Sequence, residues 1–156
     1  MKNFIQLIAS IVVCLAVGSV SGFFTASEIS TWYATLQKPS FNPPDWLFAP
    51  VWTILYIVMG VAFWLVWRSE TSHHNKNKAM LFFGAQLILN FFWSILFFHF
   101  HLTGIALIEI ILMWFCILLT IISFHAISSV ATYIMIPYLL WVTFASILNF
   151  AIWKLN

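Results

Sequence analysis

Charge is what this sequence has least of. Its 156 residues include six Lys or Arg and four Asp or Glu, or 6% charged, where a soluble domain carries about 25%. So few charges cannot cover a water-facing surface, which excludes a soluble globular domain. A net charge of +2 is too small to point to nucleic acid, and none is expected as a partner. Cysteine is almost absent. Cys14 and Cys116 both sit in apolar runs, where they read as small buried hydrophobes rather than a disulfide or a metal pair. There is no Cys-x-x-Cys and no helical His-x-x-x-His, so no metal site is expected. Proline is scarce everywhere except one stretch: Pro39, Pro43, Pro44 and Pro50, four of the five, fall within nineteen residues of Trp32.

What the chain does have is apolar length. It is 63% hydrophobic and 19% aromatic, with a mean hydropathy of +1.03. A bilayer core of about 30 Å takes roughly 20 apolar residues per helix. The runs divide into five spans at about 4–24, 45–67, 79–98, 104–124 and 132–153. The fold class expected is an all-α integral membrane protein, residues 1–156 forming one five-helix bundle. Lys2 before the first run resembles the start of a signal peptide, but the run is long for one and is read as a span.

Small residues Ser10, Cys14, Gly18, Ser21 and Gly22 share one face of the first span, a pattern that lets helices approach closely in lipid. The segment 28–44 reads as an extended, Pro-rich connector, because residues before proline leave the α region. Asp45 starts the second span, and Pro50 is expected to bend its first turn. The segment 69–78 is the one strongly hydrophilic loop, and His73-His74 read as solvated. Gln86, Asn90 and Trp93 share a face of the third span. Two amides in lipid need partners; they either cross-link helices or edge a cavity, and spacing does not choose. Glu109 is the one acid well inside a span. It is either a functional carboxylate or one that snorkels to the nearby interface. Pro137 is expected to kink the fifth span. Trp46, Trp67 and Trp153 read as interfacial anchors, while Trp52, Trp93, Trp114 and Trp141 lie deeper. With five spans, Lys2, Arg68, Lys76 and Lys78 collect on one side and Lys38 and Lys154 on the other. This favours a cytoplasmic N-terminus and an outward connector, in what is expected to be a bacterial cell membrane.

Three motifs carry a family resemblance. The first is Trp32-Tyr33-x-x-Leu36-x-Lys38-Pro39-x-Phe41-x-Pro43-Pro44 with Phe48-x-Pro50-Val51-Trp52; the second is Ala85-Gln86-Leu87-x-Leu89-Asn90-x-x-Trp93; the third is Pro137-Tyr138-Leu139-x-Trp141-x-x-Phe144-Ala145-x-x-Leu148-Asn149. In this order, over nearly the whole chain, they resemble the translocator proteins, also called tryptophan-rich sensory proteins or peripheral benzodiazepine receptors. The resemblance implies five transmembrane helices, commonly a homodimer, and a cavity closed by the first connector. That cavity takes porphyrins and haem-like tetrapyrroles, and isoquinoline or benzodiazepine-type drugs. No cofactor is required; porphyrin or haem enters as ligand. Some bacterial members of the family degrade protoporphyrin in light, with cavity tryptophans implicated.

Carried onto this chain, the implied pocket is Trp52, Asn90, Trp93, Trp141, Ala145 and Asn149, with Trp32, Pro39, Phe41 and Pro44 as lid. Gly84 and Ala85 match the family's third-helix dimer contact, although Leu81 stands where animal members have a small residue. Phe150 takes the Tyr place of the last-helix cholesterol motif ahead of Lys154, so cholesterol is not expected as a ligand. A porphyrin is a flat apolar disc with two carboxylates: indoles stack on the disc, amides orient it, and Lys38 is placed to meet a propionate. An axial ligand for haem would be histidine, yet His99, His101 and His125 fall near helix ends, which favours the metal-free ring. Three functions stay open. The first is a tetrapyrrole sensor, carrier or scavenger. The second is a light-dependent porphyrin-degrading enzyme, with Trp52 and Trp141 as its catalytic pair. The third is a small proton-coupled transporter working through Glu109.

Overall fold

The structure, a computed structural model, describes residues 2–156, with side chains from Asn3 onward; the Lys2 charge in the topology count lies outside the described side chains. Five helices are long and apolar enough to cross a membrane. They are α1 (Lys2–Ser30), α3 (Phe48–Trp67), α4 (His73–Ser94, continued by a π-helical turn Ile95–His99), α5 (Thr103–His125) and α6 (Ser129–Leu155). A one-turn helix, α2 (Trp32–Thr35), and a 3₁₀ turn at Asp45–Leu47 lie in the first connector. The chain is an all-α membrane bundle.

The ends differ from the sequence reading for local reasons. α1 runs six residues past the expected 24 because nothing from Thr25 to Ser30 breaks it. Thr25 and Thr31 donate their hydroxyls back to Ser21 and Ser27 carbonyls at 2.9 and 2.8 Å. At 29 residues it is roughly 44 Å long, so one end stands clear of a ~30 Å core. Glu28 therefore belongs to α1, and the extended connector begins only after Thr35. The hydrophilic segment folds as the start of α4, where the Ser72 hydroxyl accepts from the Asn75 N–H, as an N-cap does. Ser128 caps α6 in the same way, from Ala131. Pro50 is the third residue of α3. The turn just before α3, Asp45–Leu47, is 3₁₀ rather than α, so the start of the span departs from regular helix where Pro50 is expected to disturb it.

α5 packs on α4 and α6, α3 on α1 and α6, and α1 also on α4. Met59, Ala62, Val66, Ile110, Met113, Ile117 and Val142 are fully enclosed at these contacts. The α1–α3 crossing depends on Gly60: a Cβ there would fall 2.6 Å from the Ile11 Cα, so the backbones could not approach as they do. Trp64 Nε1 donates to the Asn3 carbonyl at 2.9 Å, setting the start of α1 beside the end of α3. At the opposite end, the Asn156 amide pairs twice with the Gln37 backbone, both bonds at 3.0 Å. The two groups of basic residues thus belong to opposite ends of the bundle.

Gly60→Leu is expected to lower the melting temperature in detergent, with a loss of about 1–3 kcal/mol for overpacking. Gly84→Ala, where a Cβ meets nothing within 4 Å, is expected to raise the monomer's melting slightly, by the ~0.5–1 kcal/mol that glycine costs inside a helix.

Candidate ligand cavity

A cavity of about 290 Å³ lies among α1, α3, α4 and α6, capped by Tyr33 of α2. α5 contributes nothing to its wall. Trp52, Trp93 and Trp141 each present an indole to it, from three different helices. Trp52 and Trp93 lie 6.4 Å apart with their planes tilted by 32°. Phe48 and Phe144 pack edge-on and tilted against Trp141 at 6.4 and 5.5 Å. Trp93 Nε1 donates to Asn149 Oδ1 at 3.1 Å, and Asn149 Nδ2 donates to the Thr103 carbonyl at 2.8 Å. The Asn149 amide is therefore spent on orienting Trp93 and anchoring α6 to α5. Trp141 Nε1, buried, has no protein acceptor. The Trp141 indole lines the cavity while its N–H is enclosed among protein atoms.

Of the ten residues the sequence put at the site, Trp52, Trp93, Trp141, Ala145 and Asn149 line this cavity. Asn90 does not. It is 1% exposed and sits in a buried chain of hydrogen bonds behind the wall. The Tyr56 hydroxyl donates to Asn90 Oδ1, Asn90 Nδ2 donates to the Tyr138 hydroxyl at 3.0 Å, and that hydroxyl donates to Gln86 Oε1 at 2.8 Å. The two amides of α4 are cross-links between α3, α4 and α6, the first of the two alternatives left by their spacing. Among the lid residues, Trp32 stacks on His101 and meets Phe97 edge-on. Phe41 is half-exposed with its edge toward Phe144. Pro39 and Pro44 shape the connector without reaching the wall, Pro39 accepting from the Asn42 N–H at 3.0 Å and Pro44 from the Leu47 N–H at 2.9 Å.

The connector's own contribution is Tyr33. It is 2% exposed, packs on Phe48, Phe97 and Phe98, and donates its hydroxyl to Asn42 Oδ1 at 2.7 Å. Burial, and then the Asp45 carboxylate, raise its phenol above the ordinary range against that hydrogen bond, so it remains a neutral donor. Lys38, expected to meet a propionate, lies over the Tyr33 ring at 4.3 Å. Glu109 does not snorkel: it is 8% exposed, and neither carboxyl oxygen meets a protein partner. It is also off the cavity wall.

The face of α1 was read as packing alone, and here the sequence reading fell short. Gly18, Ser21, Gly22, Thr25 and Ala26 all line the cavity. Gly18 lies under the Tyr56 ring, with no room for a Cβ. Further along, Ser19, Gly22 and Ala26 of α1 and Ala49 and Thr53 of α3 are both cavity-lining and exposed. The cavity thus opens sideways between α1 and α3. The available signal was the length of the small-residue face, which continues past Gly22 through Ala26, farther than one helix crossing needs.

These features define a helical membrane protein with an aromatic cavity reached from the side and covered by a connector. Comparison with known proteins gives its family. The TspO/MBR family pattern matches residues 10–154. The chain is 44% identical to the tryptophan-rich protein TspO of Archaeoglobus fulgidus over 99% of both chains. It is 44% identical to that of Chlorobaculum tepidum over 99% of this chain and 98% of the other. It is 35% identical to the translocator protein of Bos taurus over 88% of this chain and 85% of the other. This chain belongs to the TspO/MBR family and is an integral membrane protein. The 44% identity to these archaeal and bacterial members is in keeping with the bacterial cell membrane expected of it.

Gly22 provides a test of the side opening. A Cβ there meets nothing within 4 Å, so Gly22→Phe is expected to fold normally while filling the mouth, and to slow uptake of a hydrophobic cavity ligand in stopped-flow fluorescence. Asn90→Ala is expected to act oppositely. It strands the buried Tyr56 hydroxyl, while Tyr138 keeps its bond to Gln86; it costs about 0.6–2 kcal/mol in thermal melts and leaves the uptake rate of the folded protein nearly unchanged.

Proposed function

We propose that the cavity binds a flat tetrapyrrole, with metal-free protoporphyrin favoured over haem, and that the protein serves as its sensor, carrier or scavenger. The observation that carries this reading is the convergence of Trp52, Trp93 and Trp141 on one apolar space. Three indoles offer apolar aromatic surface to a planar ring. The same chemistry suits isoquinoline and benzodiazepine-type drugs. At about 290 Å³ the space is at the small end of ligand sites. A tetrapyrrole would enter with its edge projecting through the mouth between α1 and α3.

No histidine lines the wall among the described residues, so haem would bind without a strong axial ligand; no resident cofactor is invoked. Pairing into a homodimer, as the family resemblance implies, would use the α4 contact at Gly84 and Ala85, where Leu81 stands in place of a small residue. Light-driven degradation of bound porphyrin is the second reading, favoured by Trp52 and Trp141 sharing the cavity. Transport coupled to Glu109 ranks below both, since that carboxyl is off the wall.

The test is tryptophan fluorescence titrated with protoporphyrin IX in the dark, for wild type, Trp52→Phe and Trp141→Phe. Saturable quenching is expected, with Kd raised about two- to ten-fold in each variant, as the loss of ~0.5–1.5 kcal/mol of aromatic contact requires. Linear quenching that is identical in the variants refutes the pocket. Loss of porphyrin absorbance in light, only with both tryptophans present, would put the enzymatic reading first.

A further inference from the structure

We propose that Glu28, His101 and Trp32 form a clasp that holds the connector closed over the cavity and tightens when His101 is protonated. The inference rests on the reading of the cavity as the ligand site. Glu28 lies in the last turn of α1, Trp32 begins α2, and His101 is in the short link between the π-turn and α5. His101 Nε2 is 3.1 Å from Glu28 Oε2. The imidazole also lies flat on the Trp32 indole, 4.0 Å between centroids and 13° between planes. Trp32 in turn meets Phe97 edge-on at 5.6 Å, and Phe97 lines the cavity. One side chain therefore ties the end of α1, the head of the connector and the cavity wall together.

The backbone at this point is unusual in two ways. His101 has φ of +58° and is the one non-glycine residue with positive φ among those described. Such a conformation persists where the surroundings hold it and concentrates at functional sites. Just before it, α4 widens into the π-turn, and the Leu102 N–H reaches the Leu96 carbonyl at 2.9 Å. Single π-turns within α-helices likewise mark functional positions. A left-handed residue at this place is also an ordinary way to end a helix; here the turn it makes leaves the imidazole against Glu28 and Trp32.

The charge pair exists only while His101 carries its proton, and histidine changes charge between roughly pH 5 and 8. A protonated ring is held by the carboxylate and by the indole face, and a neutral ring by neither charge term. Acid therefore favours the closed connector and rising pH loosens it. Other ionisable groups nearby are engaged elsewhere: His99 lies against Phe24 of α1 at 5.8 Å, and Lys38 over Tyr33 at 4.3 Å. His101 and Glu28 are 40% and 25% exposed, so the effect is screened and should be a few-fold rather than all-or-none.

The decisive experiment is hydrogen exchange by mass spectrometry on the ligand-free protein in nanodiscs. Wild type, Glu28→Gln and His101→Asn are compared at equal pH, so intrinsic exchange cancels. At about pH 5.5, connector amides 36–44 are expected to exchange about two- to five-fold faster in Glu28→Gln than in wild type. At about pH 8 the two should converge, with amides of α5 unaffected throughout. His101→Asn should be faster at about pH 5.5 as well. Wild type alone should loosen in ~1 M salt at the lower pH, which needs no variant to fold. Equal wild-type and Glu28→Gln rates at about pH 5.5, or one constant ratio at both pH values, overturn the clasp. Release of bound protoporphyrin IX should slow by the same factor on acidification; lid exchange that shifts while release does not overturns its control of the cavity. Failure of protoporphyrin IX to bind would sink the ligand reading, while the exchange data would still decide the clasp.

Discussion

A buried polar group in hydrocarbon must find its partner within the protein. In this bundle that constraint is met by one connected chain: Tyr56, Asn90, Tyr138 and Gln86, with Gln86 Nε2 finally against Met59 Sδ at 3.8 Å. The chain joins α3, α4 and α6, and the Tyr138 hydroxyl also lies 3.9 Å from Met113 Sδ of α5. Because neutral hydrogen bonds in lipid are worth little individually, their effect is mainly geometric. They fix the register of three helices, and Trp52, Trp93 and Trp141 ride on those helices. The back wall of the cavity is therefore rigid.

The front wall is of another kind. Only 17% of the α1 span is buried, against 33–39% for the other four. Two close contacts hold it to α3, at Gly60 against Ile11 and at Gly18 beneath Tyr56. Beyond Gly18, the cavity-lining Ser19, Gly22 and Ala26 are small and exposed, while Ser21 is buried. A lightly packed element is the one that opens at least cost. The cavity thus combines a wall that orients a ligand with a wall that can admit one.

The sequence read well where the physics is one-dimensional. Five spans follow from apolar length, and Trp52, Trp93, Trp141, Ala145 and Asn149 meet because they ride on faces that the bundle turns inward. It read less well where the answer depends on a neighbour. Asn90 and Trp93 share a face of α4, yet one bonds sideways into two tyrosines and the other fills the cavity; spacing cannot distinguish these. Gly18 and Gly22 look alike in the sequence, but Tyr56 covers the first and nothing covers the second. Glu109 lies close enough to a helix end to snorkel, and only the packing of α4 and α6 around it turns it inward. Helix ends were missed by up to six residues, because serine caps and threonine back-bonding extend helices past the apolar run that predicts them.

The long, loosely held α1 also explains where control of the cavity belongs. A helix of roughly 44 Å exceeds a ~30 Å core, and Glu28 lies in its last turn. A movable wall inside lipid offers few polar handles, since each unpaired one is costly. A restraint on α1 that responds to the surroundings must therefore act at an end of the helix, in water, where charge is cheap to create and to remove. The end of α1 lies beside the connector and the α4–α5 link, and there the chain places its one ion pair among the described residues. The same hydrocarbon that makes the back wall rigid thus confines any adjustable contact to the interface, at the edge of the cavity it would govern.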